Sequence, residues 1–220
     1  MSIRHHPDDA TLVGYSAGAV TEGISLVVAA HLDLCPQCRA RVRDATDLGG
    51  TLLAGLDPAP LGEGALAAAL ERIGGEPDAQ PDPVQRPRPR SVGGLPATLA
   101  PWLPTGLDGV SWRALVPGIR HFRFPGVESG GGTVRLLAIA PGTALPHHGH
   151  GGTELTLVLS GSFADEIGRF QAGDLADLDP TAQHQPMADT DRPCICLIAT
   201  DARLRFSGVL GRLFQPLVGI

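Results

Sequence analysis

The sequence predicts a multi-domain α and β chain: a small helical bundle, then an antiparallel β barrel or sandwich, joined by a proline-rich connector. Three observations carry this. Residues 1–77 set apolar side chains at helical spacing behind N-capping residues. Residues 78–104 carry frequent prolines and no periodic apolar pattern. From Leu107 onward short apolar runs recur between clusters of Gly, Pro and Asp.

Composition narrows the function. The chain has 220 residues, 43% of them hydrophobic and only 4% aromatic, so its cores rest on Leu, Val, Ala and Ile. A net charge of −6 argues against direct nucleic-acid binding, which needs clustered cations. Every basic residue is Arg; the absence of lysine excludes Schiff-base chemistry and lysine general bases. The opening MSIRHHPDDATLV has no apolar signal region, and no stretch approaches the roughly 18 apolar residues of a membrane span. The expectation is a cytoplasmic protein with no membrane attachment. Its four cysteines, Cys35, Cys38, Cys194 and Cys196, are then reduced thiols or metal ligands.

In the helical part, Asp8 or Asp9 caps a first helix carrying Leu12, Tyr15 (or Ser16) and Ala19, kept short by Gly18. Thr21 caps a second helix that runs to about Leu34, because Pro36 disfavours helical backbone at the residue before it. Pro36 in turn suits the first position of a third helix, reaching about Ala54. Residues 61–73 form a fourth, with Leu66, Leu70 and Ile73 on one face. Five arginines against ten acidic residues leave this part negative. The connector, 78–104, reads as an extended, semi-rigid spacer with a flexible point at Gly93-Gly94. The β part, 105–220, has apolar runs at Trp112–Val116, Ile119–Phe124, Val134–Ala140, Leu155–Leu159, Ala164–Phe170, Leu175–Leu178, Ile195–Thr200 and Leu204–Leu210. Its apolar tail, Leu213–Ile220, is expected to pack on the barrel or a partner.

Two constellations carry chemistry. The first is His148, His150 and Glu154, with His184 about one hairpin later. Alternation puts His148 and His150 on one strand face, Glu154 with them if no bulge intervenes, and His147 on the other. Three imidazoles and a carboxylate suit Zn, Fe, Mn or Ni: they saturate a tetrahedral zinc but leave two positions open on an octahedral ion. A metal-free, His-rich surface loop is the plain alternative. The second is His31-x3-Cys35-x2-Cys38. His31 and Cys35 lie one helical turn apart, and the break at Pro36 turns Cys38 back toward them. A closed zinc site needs a fourth ligand, for which His5 or His6 is at hand. Cys194 and Cys196 share a strand face, as a redox-sensitive pair or as small core residues.

The spacing Gly142-x5-His148-x-His150-x3-Glu154-x6-Gly161 resembles the first cupin signature gap for gap, and Gly168, Gly173-Asp174 and His184 follow the second, with Ala188 where many cupins have Asn. The resemblance implies a cupin barrel and a metal held by His148, His150, Glu154 and His184. The His-x3-Cys-x2-Cys knuckle resembles that of zinc-binding anti-sigma domains, and the two halves together resemble the ChrR family of zinc-dependent anti-sigma factors. That resemblance implies a helical-domain zinc on His6, His31, Cys35 and Cys38, and two zinc ions per chain, with zinc ahead of iron or manganese in the cupin site. It further implies an ECF-type RNA polymerase sigma factor bound 1:1 by residues 1–77, no enzymatic activity, and release under oxidative stress from singlet oxygen or organic hydroperoxides through the cupin domain. The Ser25–Leu34 stretch is the expected sigma-facing apolar surface. The competing expectation is a cupin dioxygenase or isomerase with a regulatory N-terminal module.

Overall fold

The computed structural model describes residues 2–74, 91, 93–127 and 131–202, and the backbone of 204–206. Most of the Pro/Arg-rich connector (through residue 90) and the tail beyond residue 206 lie outside the described residues.

The helices form where the caps direct. Asp8 accepts the Thr11 N–H at 2.6 Å and starts α1 (Asp9–Ser16). Thr21 accepts the Ile24 N–H and starts α2 (Glu22–Leu34). Cys35 ends α2 in an extended conformation, as the proline after it requires, and its sulfur accepts the Cys38 N–H, capping α3 (Pro36–Ala54). One residue thus closes one helix and opens the next. Arg39 donates to the Leu32 carbonyl and satisfies the end of α2. α1, α2 and α3 pack together; α4 (Ala65–Gly74) does not join them, and every side chain from Thr46 to Gly74 is exposed. The expected fourth bundle helix therefore stands off the bundle, because its one apolar face is covered by nothing among the described residues.

The β part comprises β1 (Arg113–Val116), β2 (Ile119–Arg123), β3 (Thr133–Ile139), β4 (His148–His150), β5 (Glu154–Ser160), β6 (Ser162–Ala164), β7 (Arg169–Gln171), β8 (Leu175–Leu178), β9 (Gln183–His184), β10 (Met187–Ala188), β11 (Cys194–Thr200) and β12 (Leu204–Phe206). A six-stranded antiparallel sheet in the order β1-β2-β3-β11-β5-β8 faces two three-stranded sheets, β10-β6-β7 and β12-β4-β9. The run Ala164–Phe170, expected as one strand, is instead a hairpin. Asp165 accepts the N–H groups of Ile167 and Gly168 and turns the chain between β6 and β7.

Both faces of the large sheet are buried. Register sets Thr156, Val158, Cys196, Ile198 and Leu137 on the inner face. Val134, Leu136, Leu155, Leu157, Leu197 and Ala199 point outward and join Leu26, Val27, Val28 and Ala30 of α2 in one apolar cluster. This explains why the strand sequences read as continuous apolar runs: alternation is lost when neither face meets water. It also overturns one expectation. The apolar face of α2 within Ser25–Leu34 already covers the chain's own sheet and offers no free surface to a partner.

The described end of the connector is packed as well. Leu95, Leu99 and Leu103 are buried, and the N–H and hydroxyl of Thr98 both donate to Asp33 on α2, at 2.7 and 2.8 Å. Residues 93–104 are therefore part of the folded body and not an extended spacer. Their prolines had masked three leucines at four-residue spacing.

Leu197 is fully buried where helix meets sheet. Leu197→Ala should lower stability by about 2–5 kcal/mol, the range for a core leucine whose cavity cannot collapse. Denaturant unfolding of the whole chain measures this; a loss below about 1 kcal/mol would mean the helix–sheet contact is not a true core.

Candidate metal centres

The first cluster sits between the two layers of the barrel. β4 and β9 pair so that His148 and His184 are direct cross-strand partners, with Nε2 atoms 3.2 Å apart. His150 lies two residues along β4, on the same face. Glu154 comes from β5 in the large sheet, its carboxylate 3.4 Å from His150 Nδ1 and 4.0 Å from His184 Nε2. All four are buried, and one donor atom from each falls within 4.8 Å of the others. His147 points outward and is exposed.

The surroundings fix the tautomers. His148 Nδ1 is 2.8 Å from the Pro146 carbonyl, so it carries the proton and leaves Nε2 as a lone-pair donor. His184 Nδ1 is 2.8 Å from Asp165 Oδ2, with the same result. Thr156 donates to Glu154 at 3.2 Å. Burial lowers the His148 pKa and keeps the ring neutral. For Glu154 burial acts upward, but the hydrogen bond and charge of His150, with His148 and His184, outweigh it; the pKa falls and the group stays a carboxylate. The neutral His148 ring and the ionised Glu154 carboxylate are donor states that a metal requires.

The second cluster joins His6, His31, Cys35 and Cys38. His6 Nδ1 lies 3.4 Å from the Cys35 sulfur and 3.3 Å from the Cys38 sulfur. Ligands on a tetrahedral zinc stand about 3.5 Å apart, given Zn–S near 2.3 Å and Zn–N near 2.0 Å. His31 is wholly buried, and among the described residues neither of its ring nitrogens has a hydrogen-bond partner of good geometry. Its pKa is pushed down to about 4 by burial and by the neighbouring His6, against a smaller upward pull from the Gly173 backbone and Asp174. A neutral imidazole buried without a partner is costly unless something accepts its lone pair. A metal ion does so, and the donor set suits zinc. Of the two candidates for fourth ligand, the structure brings in His6; His5 turns toward Asp174.

Cys194 and Cys196 are buried on the barrel side of β11, with sulfurs 3.5 Å apart and no bond between them. The Cys194 hydrogen bond and burial push the Cys196 thiol well up. A protonated, enclosed thiol is a poor nucleophile.

Residues 102–203 match the family model described as the ChrR cupin-like domain. The chain is 45% identical over 216 residues to the anti-sigma-E factor ChrR of Cereibacter sphaeroides, covering 98% of each protein. The chain belongs to the ChrR family of anti-sigma factors. A solved relative is the ChrR found in the crystal structure of Rhodobacter sphaeroides SigE in complex with the anti-sigma ChrR. It matches with a TM-score of 0.71 and 42% identity, covering 91% of this chain and 100% of that one.

In this ChrR-family chain the residue that sequence reasoning missed is Asp165. It shapes the β6–β7 turn with one carboxylate oxygen and holds His184 with the other. The signal available was an Asp three residues before Gly168, a turn spacing hidden inside an apparent strand. The His184 hydrogen bond and the Ile167 and Gly168 N–H groups overcome burial and hold the Asp165 pKa down. Asp165→Ala should weaken metal binding at the cupin cluster on the order of 10–100-fold, as loss of a carboxylate that orients a histidine ligand does. Chelator competition on the metal-loaded chain reads this, and an unchanged affinity would show that Asp165 only forms the turn.

Proposed function

We propose that this chain is a zinc-dependent anti-sigma factor that binds an ECF-type sigma factor 1:1 in the cytoplasm and withholds it from RNA polymerase. The observation that carries the reading is the free surface beyond the zinc knuckle. Leu48, Leu52, Leu53, Leu56, Leu66 and Leu70 are 57–70% exposed, and Leu61 and Ile73 are about four-fifths exposed. Large apolar side chains left exposed in this number mark a docking site. It fits a helix-in-groove partner, and Asp44, Asp47, Asp57, Glu63 and Glu71 around it complement a protein with basic polymerase- and DNA-facing surfaces. The docking surface is thus assigned to the exposed half of α3 and to α4, in place of α2.

Zinc on His6, His31, Cys35 and Cys38 would fix the angle between α2 and α3, and so aim the exposed half of α3. The metal contributes folding free energy to a bundle with few core residues of its own. The cupin cluster, His148, His150, Glu154 and His184, holds a second metal, which we assign as zinc. We assign no catalytic residue. The cupin domain is the sensory half, needed for release of sigma under singlet oxygen or organic hydroperoxides. Support for this lies in oxidisable groups that the domain carries: the three clustered histidines and the half-exposed Met187.

Elemental analysis should find two zinc per chain, and Cys35→Ala should lose one of them together with sigma binding. Iron or manganese with substrate turnover would favour the dioxygenase or isomerase reading. Leu52→Glu and Leu70→Glu should each weaken binding of the cognate ECF-type sigma factor about tenfold or more, the scale of an apolar anchor at an interface. Zinc content and unfolding midpoint should stay at wild-type values, because both side chains are exposed. Calorimetric titration at wild-type affinity for both variants would place the sigma surface elsewhere.

A further inference from the structure

Residues 2–8 precede the helical domain in sequence but are seated on the cupin domain. The Leu175 N–H on β8, the edge strand of the large sheet, donates to the His5 carbonyl at 3.1 Å. Asp174, fully buried at the β7–β8 turn, accepts the backbone N–H of Arg4 at 2.7 Å and of His5 at 3.2 Å. Gln171 reaches the Ser2 carbonyl at 3.2 Å. Ile3 packs on Gly173, whose φ of +94° and 2.9 Å clearance leave no room for a side chain. The His5 ring lies 4.4 Å from Phe170, which stacks on Phe163 at 4.9 Å within the barrel core.

His6 sits in the middle of this seat. It is the one member of the Cys35/Cys38 cluster that does not come from the α2–α3 knuckle, and the only one that is not fully buried. On its C-terminal side Arg41 of α3 holds the Pro7 carbonyl and Asp9. On its N-terminal side every anchor among the described residues belongs to the cupin domain. We propose that the cupin domain completes the helical-domain zinc site: the Ser2–Pro7 segment is a strap that holds His6 on the metal, and Asp174 is its positioning residue. The strap rests on Phe170 and, through Phe163, on β6, the strand that leads into Asp165 and its grip on His184. The helical cluster is thus closed by a ligand whose seat is built by the domain carrying the other cluster. That is a physical means for a change in the barrel to loosen the helical zinc.

This inference rests on the zinc assignment above, and the test separates the two. The full zinc-loaded chain is held with a chelator and iodoacetamide, and alkylation of Cys35 and Cys38 is followed by peptide mass spectrometry. Ile3→Asp removes the strap's apolar anchor without touching the cupin fold; Asp174→Ala removes its hydrogen-bond acceptor. Both should speed alkylation on the order of tenfold or more, as lost support for a metal ligand does, while cupin-site metal is retained. In a His6→Ala background neither change should add to the rate. Wild-type rates in Ile3→Asp, or an equal increment with and without His6, would overturn the strap. Rapid alkylation of the wild-type chain before chelator is added would instead overturn the zinc assignment itself, and the strap with it.

Discussion

The constraint on which this molecule depends is a β-sheet with two apolar faces. An antiparallel sheet can leave one side in water, but β3, β5 and β11 carry Leu, Val, Ile and Ala on both. The inner face closes the barrel. The outer face needs a cover, and α2 provides it with Leu26, Val27, Val28 and Ala30. Each of the Leu and Val side chains withdrawn from water is worth about 1.5–3 kcal/mol. The helical half is therefore bound to the barrel by a hydrophobic core, not merely tethered to it.

That burial divides the helical half into two regions with different roles. The part near the sheet, α1, α2 and the first turns of α3, is enclosed and carries the His/Cys cluster. The part beyond Thr46 projects away with its leucines exposed. The same docking brings residues 2–8 alongside β8. An open sheet edge invites unwanted pairing, and the segment covers it by backbone contact at Leu175 and through the Asp174 carboxylate. Edge protection and delivery of His6 follow from one placement.

The two clusters are prepared differently for a metal. In the barrel two of the three histidines, His148 and His184, are oriented before any ion arrives, since Pro146 and Asp165 accept hydrogen bonds from Nδ1 and leave the lone pair on Nε2. In the helical cluster burial and the adjacent Cys35 push the Cys38 thiol up to about 12, so an incoming metal must displace a firmly held proton. The first site is preorganised by hydrogen bonds. The second depends on metal binding to repay the burial of His31 and two thiols.

Local chemistry was legible in the sequence. Asp8, Thr21 and Pro36 marked the helix boundaries because caps and prolines act within a few residues. His148, His150, Glu154 and His184 stood out because strand alternation and fixed gaps keep their meaning in one dimension, and the structure does gather them. The His31–Cys35–Cys38 spacing carried over for the same reason. Tertiary structure decided what depends on contacts between distant residues. Leu155 and Val27 are both apolar in sequence, but only packing shows that they meet. The occupied face of α2, the free face of α4 and the choice of His6 over His5 all follow from where the sheet's second face found its cover. Asp165 was hidden because a hairpin and a strand share the same apolar signature until the turn closes. Spacing specifies which residues can bind a metal, but burial and long-range pairing determine which surfaces remain for a partner.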